Sequence, residues 1–168
     1  MEKVKTLILD KVQTAQKIRR IAFEIIENNH REKQIVLVGI WNKGYSFAQA
    51  LTKELNSVSD IDIRLVKLSL EKELPTQSEI TLDCELKQLE NKSIVLFDDV
   101  LNTGRTMAYS LKPFLNIKVK KIETAVLVNR SHPTFPISST YTGYELSTTI
   151  NDHVEVEVNK SGISVFLV

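Results

Sequence analysis

The sequence predicts an α/β fold built on a central, mostly parallel sheet flanked by helices. Two observations carry this. Three apolar runs, QIVLVGI at 34–40, SIVLF at 93–97 and KIETAVLV at 121–128, are short and rich in β-branched residues, and the first is nearly continuous. Strands buried on both faces, as in parallel sheets, read this way. Between the runs, apolar residues recur at helical spacing, so strands and helices alternate along the chain, which argues for right-handed crossovers.

The elements follow in order. Val12, Ala15, Ile18, Ile21, Ala22, Ile25 and Ile26 lie three or four residues apart and predict a helix over 12–28. Asp10 precedes it as an N-cap, where a carboxylate can accept from an unpaired helical N–H. After the 34–40 strand and a turn at Asn42–Gly44, the residues Phe47, Ala48, Leu51 and Leu55 predict a second helix over 45–55. IDIRLVKL at 61–68 begins in alternation and reads as a strand. Residues 69–92 are polar, broken by Pro75 and weakly periodic, which predicts a long loop of the kind that often closes over a site. The strand at 93–97 leads through a turn into a helix carrying Met107, Ala108, Leu111 and Leu115, and then comes the 121–128 strand. Residues 129–151 hold two prolines and many Ser and Thr. HVEVEV at 153–158 and ISVFLV at 163–168 flank Asn-Lys-Ser-Gly, a hairpin signal with a loop of about four residues. These late strands are expected to extend or cover the sheet.

Composition bounds the function. The 168 residues suit one domain, 1–168, with no repeat, low-complexity tract or linker. Lys plus Arg is 22 and Asp plus Glu is 21, so a strongly basic nucleic-acid binder is not indicated. Cys84 is the one cysteine, which excludes an internal disulfide, and no Cys/His spacing suggests zinc. The N-terminal segment has only a short apolar run, too short for a signal peptide. No stretch approaches the roughly 18 apolar residues of a membrane span. The expectation is a cytoplasmic protein with no membrane partner.

The chemistry is concentrated in one stretch, SIVLFDDVLNTGRTMAYSL at 93–111. A buried strand ends in two adjacent carboxylates, Asp98 and Asp99, and Asn102, Thr103, Gly104, Arg105 and Thr106 form the turn into the next helix. Ligands of open α/β sheets bind at such carboxyl ends. Gly104 lets backbone approach closely, Thr103 and Thr106 offer hydroxyls, and the amides opening a helix favour an anion. That nest fits a phosphate. The carboxylates do not; they fit sugar hydroxyls or a cation. The set therefore asks for a phosphorylated sugar, phosphate at one end and diol at the other, with Mg²⁺.

IVLFDDVLNTGRT resembles the phosphoribosyl-diphosphate (PRPP) signature of type I phosphoribosyltransferases, and its Asp-Asp-Val-Leu-x-Thr-Gly-Arg-Thr form is most similar to the bifunctional pyrimidine operon attenuator/uracil phosphoribosyltransferase family. LILD, RIAFEIIENN, LVGIWNKG, IDIRLVK, AVLVNRSH and PISSTYTGYEL have similar counterparts in the same order, so the resemblance covers nearly the whole chain and is weakest over 69–92. It implies the type I phosphoribosyltransferase fold with a small hood within 129–151 and a C-terminal β-hairpin. It implies transfer to a nucleobase, uracil first, giving a nucleoside monophosphate and pyrophosphate. A PRPP- or nucleotide-sensing RNA-binding regulator with weak or no catalysis, and a purine phosphoribosyltransferase, are the alternatives. A homodimer or higher homo-oligomer is implied as well.

By the same resemblance Asp98 and Asp99 bind the ribose hydroxyls, with Mg²⁺ carried by PRPP and met by these two residues, and Thr103, Gly104, Arg105 and Thr106 wrap the 5-phosphate. Asn42, Lys43 and Gly44, following Trp41, correspond to a pyrophosphate-binding turn that often contains a non-proline cis peptide. Lys67 stands where the family has Arg in Tyr-Arg-Asp-Asp, and the tyrosine and both acids are replaced. Lys67 is assigned with the acidic pair to catalysis, and 70–82, with Lys72 as its only cation, to a lid. Val128, Asn129 and Arg130 stand where the family has Val-Asp-Arg and are assigned to the base pocket. Arg19 and Arg20 occupy two positions of the family's RNA-contacting helix surface, while Phe23 replaces its His.

Overall fold

The computed structural model describes residues 4–74, 76 and 79–168; Pro75 and part of the expected lid lie outside them. Six strands form the main sheet in the order β4-β3-β2-β5-β6-β7. These are β2 (Gln34–Ile40), β3 (Asp62–Ser69), β4 (Thr81–Leu82), β5 (Ser93–Leu101), β6 (Lys121–Asn129) and β7 (Tyr141–Glu145). All neighbours are parallel except β4, which returns antiparallel on β3. The three apolar runs are the three central strands, β2, β5 and β6; β2 is buried almost throughout, β5 over Ser93–Asp98 and β6 over Thr124–Val128.

Helices cover both faces. On one lie α1 (Lys11–Asn29) and α2 (Lys43–Val58), whose apolar stripes meet Val95, Phe97, Ala125 and Leu127 of the sheet. Phe47 of α2 meets Phe97 edge to face, with ring centroids 5.4 Å apart. Asp10 caps α1: its Oδ1 accepts from the Gln13 amide at 2.8 Å, and the Gln13 side chain accepts from the Asp10 amide at 2.9 Å. This reciprocal box satisfies two otherwise orphaned donors. On the opposite face Val36, Val38, Ile94, Leu96 and Val126 pack against Met107 and Phe114.

The structure differs from the sequence expectation in three places. The helix after the 98–106 turn breaks into α3 (Arg105–Ser110) and α4 (Lys112–Leu115). Pro113 stands in the first turn of α4, and having no N–H and a ring that clashes with the preceding turn, it interrupts a continuous helix. The 69–92 segment is only partly loop: β4 and a single 3₁₀ turn at Leu86–Leu89 lie within it, the turn anchored by the buried Leu89. The late hairpin, β8 (Val154–Asn159) and β9 (Gly162–Leu167), turns through two residues rather than four. The Asn159 carboxamide oxygen accepts from the Ser161 amide at 3.0 Å, and Gly162 takes a φ of 141° that a side chain would resist.

That hairpin covers the main sheet rather than extending it. With β1 (Thr6–Leu9) it makes a separate antiparallel sheet, β1-β9-β8. Val156, Ile163 and Val165 join the α1/α2 core. No helix among the described residues is long and apolar enough to cross a membrane.

Candidate active site

The carboxyl ends of β2, β3, β5 and β6 converge at one edge of the sheet. β5 runs on past its apolar stretch and carries Asp98 and Asp99 in its last turn of pleat. Asp98 is 4% exposed and Asp99 partly buried. The Asp98 carboxyl is pushed up, to about 7, by its burial first and by the neighbouring Asp99 charge second, while Lys72 pulls it back down. Its Oδ1 also accepts from the Asp99 amide at 3.0 Å.

The turn expected to hold a phosphate follows directly. Gly104 has φ 85°, the left-handed region. Thr103 Oγ1 accepts from the Arg105 amide at 3.3 Å, and the Gly104 carbonyl accepts from the Ala108 amide at 2.9 Å, which starts α3. A cavity of about 40 Å³ sits inside the turn, lined by Asp98, Asn102, Thr103, Gly104, Arg105 and Thr106. The Thr103 carbonyl accepts from both Thr134 (2.9 Å) and Phe135 (3.0 Å) amides, and the Arg105 guanidinium lies 5.9 Å over the Phe135 ring. The turn is thus tied to the segment after β6.

The turn after β2 approaches the same point. The Trp41–Asn42 peptide bond is cis, and the Trp41 amide donates to the Leu68 carbonyl at 2.7 Å. Gly44, buried at the start of α2, lies against β5: a Cβ there would stand 2.7 Å from the Phe97 carbonyl oxygen and 2.9 Å from Asp98 Cα. Only hydrogen fits, and the turn carrying Asn42 and Lys43 is thereby drawn up to the acidic pair. Lys67 lies on β3 with its ammonium 5.3 Å over the half-exposed Trp41 ring. The Asp83 carboxylate accepts from the Lys67 amide at 2.9 Å, and the Asp83 amide donates to the Lys67 carbonyl at 3.1 Å.

Beyond β6 the residues assigned to the base pocket divide. The Val128 side chain is fully buried in the α1/α2 core. Asn129 donates to Glu145 at 3.3 Å and accepts from the Ser131 amide at 3.0 Å. It also lines a cavity of about 290 Å³ with Asn102, Gly104, Ser131, Pro133 and Ile137. Arg130 is 4% exposed, and its guanidinium spans three partners: Asn102 Oδ1 (3.2 Å), Thr148 Oγ1 (2.9 Å) and the Thr149 carbonyl (3.1 Å). It braces the segment after β6 against the turn after β5.

The sequence named Lys72 only as the one cation of the expected lid, and it did not single out His153. Lys72 places its Nζ 2.9 Å from Asp98 Oδ1 and 3.8 Å from Asp99 Oδ1. His153, leading into β8, joins Lys72, Asp98, Asp99 and Arg130 around a cavity of about 230 Å³. It is held there by backbone bonds to Val168 in both directions, 2.9 and 2.8 Å. Nothing local in the sequence marks either contact, since 26 residues separate Lys72 from Asp98 and His153 arrives from the other sheet.

Residues 6–161 match the phosphoribosyl transferase domain family. The chain belongs to the phosphoribosyltransferase family. Membership places it among the glycosyl-transferring enzymes. The bifunctional protein PyrR of Clostridioides difficile is 35% identical over 164 residues, 92% of this chain and 91% of its own. That of Clostridium kluyveri is 31% identical, over 94% of this chain and 93% of its own. Among solved structures, a hypoxanthine-guanine phosphoribosyltransferase from Bacillus anthracis superposes with a TM-score of 0.78 at 16% identity, covering 96% of this chain and 98% of its own. At that identity the likeness shows the fold alone: a type I phosphoribosyltransferase sheet with its helices, carrying here a C-terminal hairpin.

Proposed function

We propose that this phosphoribosyltransferase uses PRPP and a pyrimidine base, uracil first, and releases pyrophosphate. The observation that carries the reading is the β5–α3 unit. A buried carboxylate pair stands at one end of it and a left-handed Gly104 turn around a small cavity at the other, which matches a diol and a phosphate on one sugar. The resemblance to the attenuator/uracil group, reinforced by relatives named bifunctional protein PyrR, favours uracil over a purine.

In this reading the base nitrogen forms a bond to C1 of the ribose while the C1–pyrophosphate bond breaks, the electron pair leaving with the pyrophosphate and the N–H proton of the base passing to the pyrophosphate or to solvent. Asp98 and Asp99 accept hydrogen bonds from the ribose hydroxyls and set the sugar's orientation. Lys43, the α2 N-terminal amides and Lys67 hold the leaving pyrophosphate, and the Thr103–Thr106 turn holds the 5-phosphate. Catalysis is then positioning and charge stabilisation. The donor set fits a divalent cation carried in on PRPP. The pair already holds one cation, the Lys72 ammonium, and among the described residues no group of three or more His, Cys, Asp and Glu makes a protein-only cage. Bound Mg²⁺ would neutralise pyrophosphate charge beside Asp98 and Asp99. The base would sit in the cavity lined by Asn129 and Ser131.

No observation adds support for RNA contact through α1. Arg19 pairs with Glu54 and lies 5.4 Å over the Phe23 ring. Arg20 pairs with Glu24 and donates to the Thr142 (3.0 Å) and Gly143 (2.7 Å) carbonyls. The deciding experiment is PRPP-dependent conversion of uracil, hypoxanthine, guanine, adenine and xanthine. Turnover is expected with uracil; turnover with a purine instead reassigns the base, and none with any base despite PRPP binding sinks the catalytic reading.

A further inference from the structure

The acidic pair proposed to receive a ribose diol already has a cation on it. Lys72, three residues beyond β3, sets its ammonium 2.9 Å from Asp98 Oδ1 and 3.8 Å from Asp99 Oδ1, touching both carboxylates at once. The Asp98 side chain is 5% exposed and that of Asp99 14%, so the pair has little other access to solvent, whereas the Lys72 side chain is 37% exposed and forms the outer layer. Asp98 Oδ1 accepts from the Asp99 amide as well, which uses the second lone pair of that oxygen.

The charges favour this arrangement in the free protein. Two adjacent carboxylates with so little exposure repel each other and cost desolvation, and one ammonium between them offsets both effects. Burial alone would lower the Lys72 pKa, but the fields of Asp98 and Asp99 and the hydrogen bond to Asp98 outweigh it and raise it, so the ammonium stays charged where it sits. A ribose hydroxyl needs those same carboxylate oxygens.

We infer that Lys72 is an internal competitor for the ribose site: in the free protein its ammonium occupies the place of the diol on Asp98 and Asp99, and a phosphoribosyl ligand binds by displacing it. Ligand affinity is therefore set partly by a residue outside the phosphate and pyrophosphate turns. The inference rests on the proposal that Asp98 and Asp99 receive a ribose diol. It opposes the ordinary expectation that a lysine near an anionic ligand assists binding, and the two differ in sign.

The test is calorimetric titration of wild type, Lys72→Met and Lys72→Arg with ribose 5-phosphate and, separately, with PRPP and Mg²⁺. A partly exposed ion pair contributes about 0.2–1 kcal/mol, so loss of the competitor is expected to tighten both ligands about 1.4- to fivefold in Lys72→Met. Lys72→Arg keeps a cation on the pair and is expected not to tighten them. Removing Lys72 also removes a long-range attraction for phosphate, so the titrations are run at 0.1 M and 1 M salt, where the screening length falls from about 10 Å to about 3 Å. Tightening in Lys72→Met at 1 M salt supports displacement. Equal or weaker binding of PRPP by Lys72→Met at 1 M salt, with wild type binding it, overturns the competition and leaves the ribose site standing. Failure of both proteins to bind either ligand overturns the ribose reading and the competition together.

Discussion

The turn after β5 and the segment after β6, the expected hood, lie side by side, touch through Thr103, Asn102 and Arg130, and are made in opposite ways. Asp98 to Thr106 is one contiguous run: strand end, acidic pair, left-handed glycine and helix start follow within nine residues, and their geometry is set by neighbours in the chain. The hood is assembled at a distance. Asn129 meets Glu145, Arg130 meets Asn102, Thr148 and Thr149, and the Thr134 and Phe135 amides return to the Thr103 carbonyl. A site built locally resists change except at its own residues, whereas one built by long-range braces can be loosened by residues that never touch a ligand.

The sharpest break in this comparison is at the acidic pair. Asp99→Asn keeps the shape and removes a charge, and we expect kcat/KM to fall about 10²–10³-fold, the size of one lost electrostatic contact in a transition state. An unchanged circular dichroism spectrum beside unchanged kinetics would make the pair structural. Next comes Gly44→Ala. Its Cβ would meet the backbone of Phe97 and Asp98 at 2.7 and 2.9 Å, so α2 must shift, at about 1–3 kcal/mol in stability by urea unfolding and with weaker PRPP binding.

Arg130→Met tests the hood. It removes the guanidinium's hydrogen bonds to Asn102, Thr148 and Thr149, each worth about 0.5–1.5 kcal/mol, and the KM for the base is expected to rise more than the Kd for PRPP. Equal rises in both would mean that the brace serves the phosphate turn rather than the hood.

The pH dependence separates the acidic pair from the rest. Asp98 has a folded pKa raised to about 7 from an ordinary 3.8, chiefly by burial. Its protonated form favours the fold, so its contribution is fully present below about pH 4 and is lost as pH rises through 7. Wild type should therefore lose Tm between pH 5 and pH 8 relative to Asp98→Asn; parallel curves would contradict the burial argument. The smallest expected effect is Asn129→Asp. It sets a carboxylate against Glu145, its partner across β6 and β7, and should cost roughly 0.2–1 kcal/mol in stability. A larger loss would show that Asn129 carries more of the hood than its one weak bond to Glu145 indicates.

The sequence by itself determined whatever depends on near neighbours. Continuous apolar runs specify strands covered on both faces, Asp10 and Gln13 specify the start of α1, and FDDVLNTGRT specifies the carboxylates and the turn behind them, because each of these is decided within about ten residues. Pro113 was equally local, yet the apolar spacing of 107–115 pointed to one helix and the missing N–H cut it in two. Tertiary structure decided the rest. It placed β1 and the hairpin in a second sheet over α1, since a strand's alternation specifies a buried face but not what buries it. It turned Arg130 inward as a brace, and it set Lys72 on the carboxylates and His153 at their rim. A side chain's long-range partner depends on where another part of the chain arrives, and that is fixed by the packing of all the elements together, not by any one segment.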